Sequence, residues 1–437
     1  MKKIIYLSIA FFVLSACQKE EAGTTTYAPS DVPAVFVAAM EDAPATKIHT
    51  GEYDGKYRVL WDGYTDVVAM CAGLDASSKY RVKGATANTP VANLYAEKDS
   101  DVATEGNAIP DNVAYYPYPN TSKVGDVTVV SNGDGSYKVP GAFSDAQTYL
   151  AGSIPSRGFP IVAVSDGLED HTLNFKNVAG GICFNVKGGA RVKSISFKSN
   201  EADKVIAGSA DIIVSNTDLE ASVPTYEFTG SSKTITLNCG AAVVTDSDET
   251  TPFYMGVAPQ EFPLGFTVSI NDEDFTWTVS TSKSQTVNRS RVLNMPTVTF
   301  PIKEFDLSAP KGIGNGAAYD PETQVLQFTG TSNRYIEFSV SDVALSDCKY
   351  LGLITDNCNC CLKFEFYAKG KYSTASHTWS WYTPGVQTSY YKKVSELPAE
   401  LINVFNEEEI DRIRIGLNTN VSVEGTPTVH LSRLVLY

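Results

Sequence analysis

Most of the chain is written in short runs in which apolar and polar residues alternate. Ile195 and Phe197 have polar neighbours, and so do Ile235, Leu237 and Cys239. Phe266, Val268 and Ile270 lead through Asn271-Asp272-Glu273-Asp274 into Phe275, Trp277 and Val279. Farther on, Ile336, Phe338 and Val340 alternate, then Leu362, Phe364 and Phe366, then Ile413, Ile415 and Leu417. A period of two sends successive side chains to opposite faces of an extended chain. Each run therefore predicts a strand with one buried and one wet face. The stretch 266–279 predicts a hairpin with an acidic loop. Shorter apolar runs bounded by turn residues predict more strands: Val59-Leu60-Trp61 before Asp62-Gly63, Asp66 to Met70, and Val113 to Tyr116 before Pro117. One helical turn or two is expected over Pro398 to Phe405, since proline suits a first turn. The pattern predicts an all-β protein: two tandem β-sandwiches at 45–167 and 168–302, then a jelly-roll-like β-sandwich at 303–437.

The first 44 residues break this pattern. Lys2 and Lys3 precede an apolar run from Ile4 to Leu14, and then come Leu14-Ser15-Ala16-Cys17. A positive start, a short apolar run and small residues before a cleavage point mark a secretory signal, here 1–16. Cysteine directly after that point marks a bacterial lipoprotein, in which Cys17 becomes the N-terminus and carries acyl chains on its thiol and amine. Two or more chains anchor stably, at about 0.8 kcal/mol per buried methylene. The apolar run is too short to span a bilayer. Residues 17–44 are rich in Thr, Ala, Pro and Glu and read as a lipidated flexible tether, with Val32 to Ala39 able to form one strand. Within it, Lys19, Glu20 and Glu21 follow the cysteine closely. They resemble the surface-export signal of lipoproteins in Bacteroides-type Gram-negative bacteria. The expected location is the outer membrane, lipid-anchored and facing outward.

The formal net charge of -15 repels nucleic acid, and no basic stripe offsets it. Charged residues are only 19%, while β-branched and aromatic residues abound, which agrees with strands. Cys71, Cys183 and Cys239 stand singly in apolar runs and read as small core residues. Cys348, Cys358, Cys360 and Cys361 cluster. An exported protein can form disulfides, so Cys348 is able to bridge one of the other three. Four thiolates can also close a zinc site, but adjacent Cys360 and Cys361 would face opposite ways on a strand. Plain thiols are the third reading.

The first two units resemble the fimbrillins, the two-domain pilus subunits of Bacteroides-type bacteria. The residues that carry this are Thr46-Lys47 with Val59-Leu60-Trp61 and Asp66-Val67-Val68, then Ala114-Tyr115-Tyr116-Pro117. Phe175-Lys176-Asn177-Val178-Ala179-Gly180-Gly181-Ile182, Val205-Ile206-Ala207-Gly208 and Arg291-Val292-Leu293-Asn294-Met295-Pro296 follow in order. The resemblance implies export as a lipoprotein and assembly by strand exchange, in which a groove of one subunit accepts a strand of the next. Its partners are then other fimbrial subunits. In shaft subunits of that family an arginine-directed protease trims the N-terminal segment. This chain departs from the pattern: no arginine lies between Cys17 and Arg58, although Lys47 offers another protease a site. An accessory subunit, tip or anchor, is the expected role.

The added third unit fits such a role. It gathers Tyr372, Trp379, Trp381, Tyr382, Tyr390 and Tyr391. Trp379 and Trp381 share one face of a strand. Aromatic faces stack on sugar rings, and His377 or Gln387 could bond hydroxyls, so Trp379, Trp381, Tyr382, Tyr390 and His377 form a candidate glycan platform. The alternative is that the tryptophans are core. A host or bacterial surface ligand, a glycan among the options, is the second expected partner. The alternative function is a surface glycan-binding lipoprotein whose first two units are spacers. No catalytic constellation emerges. His49, His171, His377 and His430 have no metal-ligand spacing, and Asp272-Glu273-Asp274 and Glu407-Glu408-Glu409 read as a hairpin loop and a solvated end. Asn315 with Asp320 to Glu322 could join a calcium site. No cofactor is expected.

Overall fold

A computed structural model describes residues 36–40, 51–53, 56–58, 61, 66–83, 90–118, 123–216, 222–246, 248–272, 276–300, 303–343, 348, 350–368, 378–381, 389–393, 410–418 and 425–436. Among them the protein is all-β, with 3-10 turns at Asp99–Asp101 and Ser156–Gly158 and no α-helix. The expected helical turn at 398–405 lies outside the described residues. No described helix is long and apolar enough to cross a membrane.

The first unit is a closed seven-stranded barrel. Its order is β1 (Phe36–Met40), β12 (Thr172–Asn177), β11 (Ile161–Val164), β7 (Ala108–Tyr116), β4 (Val67–Leu74), β5 (Ser78–Lys83) and β6 (Val91–Tyr95). A small hairpin, β2 (Gly51–Tyr53) with β3 (Lys56–Arg58), precedes Trp61. Trp61 is 1% exposed and meets Tyr116 and Phe175 edge to face at 5.6 and 5.3 Å. Each such pair contributes roughly 0.5–1.5 kcal/mol beyond its buried area. Tyr116 does not bury its hydroxyl unpaired, because it donates to Asp66 at 2.6 Å. Over the barrel lies a sheet in the order β16 (Thr225–Phe228), β15 (Gly208–Ser215), β9 (Ser136–Phe143) and β8 (Val130–Ser131). Its Tyr137, Val139, Ile212 and Val214 share one core with Val113 and Tyr115. The approach is tight at Gly141, where a Cβ would run into Ile212 Cδ1.

The second unit has its own core of Ile195, Phe197, Phe253, Phe262 and Phe266 between two sheets. One runs β10 (Ala146–Thr148), β17 (Thr234–Val244), β14 (Arg191–Ser199), β20 (Phe266–Asp272) and β21 (Thr276–Thr281). The other runs β18 (Thr251–Val257), β13 (Gly180–Lys187) and β23 (Val292–Asn294), with β24 (Val298–Thr299) also on β13. A small pair, β19 (Gln260–Phe262) and β22 (Gln285–Val287), closes one end. The hairpin at 266–279 forms with Ile270 opposite Trp277 and Val268 opposite Val279. Pairing runs across residue 168 in both directions. β12 completes the barrel, while β9 pairs with β15 and β10 with β17. Cys71 and Cys183 are buried and Cys239 half-buried, and burial pushes the Cys71 thiol up to about 12 and that of Cys239 to about 11.

The third unit is a jelly roll. A short strand β25 (Lys303–Glu304) joins it, and β26 (Gly312–Ile313) and β27 (Ala317–Asp320) fill edges. The main strands are β28 (Val325–Phe328), β29 (Tyr335–Val343), β30 (Tyr350–Cys358), β31 (Leu362–Ala368), β32 (Thr378–Trp381), β33 (Ser389–Lys393), β34 (Ile410–Leu417) and β35 (Thr428–Leu436). They pair as β28-β35-β30-β33 in one sheet and β29-β34-β31-β32 in the other. That alternation between two antiparallel sheets is the double Greek key of a jelly roll. Leu326, Phe338, Leu353, Phe364, Ile415 and Leu434 meet between the sheets.

Candidate functional site

Three places combine exposure, unusual pairing or buried charge. The first is the seam of the barrel. β1 comes from the stretch read as tether and is far in sequence from both neighbours. It pairs antiparallel with β6, Phe36 opposite Leu94 and Ala38 opposite Ala92. It pairs parallel with β12, Val37 opposite Thr172 and Met40 opposite Phe175. Phe36 is 2% exposed and meets Tyr80 at 5.7 Å and the ring of His171 at 5.2 Å. Ala38 is fully buried. Further main-chain bonds, Val37 N–H to His171 O and Met40 N–H to Pro90 O, are both 2.9 Å long. Without β1, the rims of β6 and β12 would present unpaired N–H and C=O groups to either side of an apolar trough.

The second place joins the second unit to the third. Asp272, expected in a wet hairpin loop, is buried, and its side chain is fully enclosed. Arg433, itself 3% exposed, donates to Asp272 Oδ1 at 2.9 Å. The other carboxylate oxygen accepts the Arg191 N–H at 2.6 Å. Glu304, on the connecting strand, bridges Arg433 Nε at 3.3 Å and Arg191 Nη2 at 2.6 Å. A cleft of about 380 Å³ opens beside this network, lined by Arg191, Glu304, Asp306, Leu307, Gln324 and Ser432. The reason Arg433 faces this way is a slip of register in β35. Ile354 lies opposite Arg433 but Thr355 opposite Leu431, so Ser432 is extra. Val429 and Leu431 face the jelly-roll core before the slip, and Leu434 and Leu436 after it. Such a bulge re-aims the residues beside it, and Arg433 is left on the outer face.

The third place is the outer face and edge of the sheet β29-β34-β31-β32. Arg414 lies 3.7 Å from the Tyr335 ring centre and 4.7 Å from that of Tyr367. It pairs with Glu337 at 2.9 Å and Glu365 at 3.2 Å. Arg412 adds a bond to Glu337 at 3.2 Å, and Lys363 one to Glu365 at 2.7 Å. Burial pushes the Glu365 carboxyl up. Lys363, the Tyr367 hydroxyl and Arg414 together outweigh that and hold it below the ordinary carboxylate range.

Of the residues expected to carry function, Cys17, Lys19, Glu20, Glu21, His377 and Tyr382 lie outside the described residues, as do Glu407 to Glu409. Trp379 and Trp381 are on β32, opposite Phe364 and Leu362, two buried core residues. Tyr390 is on β33, opposite Leu353. β32 and β33 are edge strands of the two different sheets. Asp320 organises a turn: its oxygens accept the Glu322 N–H at 3.0 Å and the Thr323 hydroxyl at 2.7 Å. Among the described residues no group of three or more His, Cys, Asp or Glu is placed to hold a metal. The seven described cysteines are thiols.

No family model matches the chain, and no curated protein matches it. Among solved structures it is similar to a candidate cell adhesion protein of Bacteroides ovatus, 14% identical over 61% of this chain and 93% of that one, with a TM-score of 0.35. It is also similar to a fimbrial protein of Bacteroides ovatus, at 10% identity over 74% of this chain and 58% of that one and a TM-score of 0.25. A low affinity xylan binding module of Roseburia intestinalis is 14% identical over 31% of this chain and 92% of the module, with a TM-score of 0.23. At these TM-scores the likenesses assign no function.

Proposed function

We propose that the chain is a cell-surface lipoprotein serving as an accessory fimbrial subunit, at the tip or as anchor, adhesive and joined to its neighbours by β-strand exchange. The observation that carries this reading is the seam. A five-residue strand from the N-terminal stretch closes the barrel, and its rims are ready for another strand. The lipoprotein signal before it supports export, and the Lys19-Glu20-Glu21 cluster supports the outer face. The absence of arginine between Cys17 and Arg58 supports a retained β1. A subunit that keeps β1 offers no groove and therefore ends a fibre instead of extending it.

The test is the mature N-terminus on cells. Lipidated Cys17 is expected on most molecules, with labelling lost in Cys17→Ala. A free N-terminus just after Lys47 or Arg58 would make the chain a shaft subunit. Alanine at Lys19, Glu20 and Glu21 should keep the lipid but shield the protein from external protease.

A second reading is glycan binding by the third unit with the other units as spacers. The jelly-roll order and the aromatic residues on β32 and β33 favour it. Thermal melts of Trp379→Ala and Trp381→Ala sort the two roles. A platform residue should leave the melt almost unmoved and weaken glycan binding by roughly 1–3 kcal/mol, as other aromatic platforms do. A core residue should lose about 3–5 kcal/mol of stability. A large loss for both removes the platform.

A further inference from the structure

The jelly roll passes from one sheet to the other at the corner between β30 and β31, through Cys358-Asn359-Cys360-Cys361. Asn359 fastens the corner to the start of β35: its side-chain oxygen accepts the Thr428 N–H at 2.7 Å, and its amide donates to Thr426 O at 3.3 Å. The cysteines on either side of it are each 3% exposed and belong to the core between the sheets. Their Sγ atoms are 4.0 Å apart, and Cys358 Sγ also lies 3.2 Å from Cys360 O. Cys361 is buried away from that core group, with its Sγ 4.0 Å from Leu362 O.

We propose that Cys358 and Cys360 form a reversible intramolecular disulfide when the chain meets a disulfide donor, which makes this corner a redox-responsive modification site. One thiol loses its proton and attacks the donor R–S–S–R, expelling one R–S⁻ and forming a mixed disulfide. The second thiol, likewise deprotonated, attacks the mixed disulfide at the protein sulfur and releases the second R–S⁻. Both leaving groups take up the protons, so two cysteine thiols are oxidised and the donor is reduced to two thiols. The sulfurs must close from 4.0 Å to about 2.05 Å, which the side chains flanking a single residue achieve by rotation and a small bend of the corner. The hydrogen bond between the two thiols and their burial raise the Cys360 pKa. The thiolate is therefore scarce in the packed core, and the bond forms fastest as the chain folds. A loop this short restrains the unfolded chain little, so the bond responds to redox conditions more than it staples the fold.

The pairing rests on the export reading only for its compartment, and two arms separate them. In the first, the full chain in detergent is unfolded and refolded with oxidised glutathione present, denatured again, and alkylated before and after reduction. Two sulfurs should become reactive only after reduction, mapping to Cys358 and Cys360, and the result should persist in Cys361→Ser. Alkylation of every described cysteine without reduction overturns the proposal. So does a bond mapped to Cys348 or Cys361, or copper(I) held on the two thiols in place of a bond. In the second arm, cells are quenched in acid before alkylation. A pair oxidised by glutathione but reduced in cells keeps the chemistry and shows that the chain meets no sufficient disulfide donor where it resides.

Discussion

The barrel and the jelly roll treat their terminal strands in opposite ways. β1 sits at a seam, five residues long, with two inward side chains, Phe36 and Ala38. β35 is nine residues long and central, paired with β28 on one side and β30 on the other, with β25 at its far end. Val429, Leu431, Leu434 and Leu436 all enter the jelly-roll core from it. A strand at a seam can leave and expose a groove while the remaining strands stay joined through β12, β11, β7, β4, β5 and β6. A central strand cannot leave without separating the sheet into pieces. The first of these strands is thus separable from its sheet, and the last is not.

The largest effect that would break this comparison comes from removing each strand. A chain ending before Thr428 should lose the third unit entirely, seen as protease sensitivity of 303–427. A chain beginning at Glu41 should keep a folded barrel. Deleting Phe36 alone removes about 3–5 kcal/mol of packing, against the roughly 5–15 kcal/mol that holds a domain together. The barrel melt should fall but stay cooperative. If the chain without β1 unfolds as completely as the chain without β35, the seam is no more replaceable than the centre.

The next effect sharpens the other end. Arg433→Ala leaves Asp272 buried without its guanidinium, and removing one partner of a buried pair costs about 3–5 kcal/mol. Arg433→Met with Asp272→Leu should recover much of that, since two apolar groups leave no buried charge. Calorimetry should show the second and third units melting together in the natural chain and apart in Arg433→Ala. Unchanged joint melting would mean that the pair does not couple them.

That pair also shows where the sequence was readable. Alternation at 195–197, 266–279 and 413–417 marked strands correctly because one face of each carries mainly polar residues, whether wet as at Lys198 or paired and buried as at Arg414. The seam was half legible: apolar residues before Met40 suggested a strand, but nothing local could say that β6 and β12 would take it. Asp272 looked like a loop residue because its partner lies 161 positions away. A signal existed in the last strand, where the apolar beat runs 429, 431, then 434, 436. A slip in phase beside an arginine points to a bulge that turns the charge outward.

The smallest predicted effect separates the units by acid. In the barrel the buried carboxylates Asp66 and Asp111 accept from neutral tyrosine hydroxyls, Tyr116 and Tyr137, both at 2.6 Å. In the jelly roll Glu365 accepts from two cations, Lys363 and Arg414. Its pKa is held below the ordinary value of 4.5 despite burial. A carboxylate lowered by folding contributes stability that is full above its unfolded pKa and is lost as the pH falls through the folded one. The jelly roll should therefore lose melting temperature steadily below about pH 4.5. Glu365→Gln cannot titrate, so its melt should start lower at pH 7 and fall less steeply in that window. The partly wet position of Glu365, 14% exposed at the side chain, keeps the difference small. Equal slopes for the variant and the natural chain would assign the acid sensitivity to other carboxylates and leave the Glu365 pairs without weight.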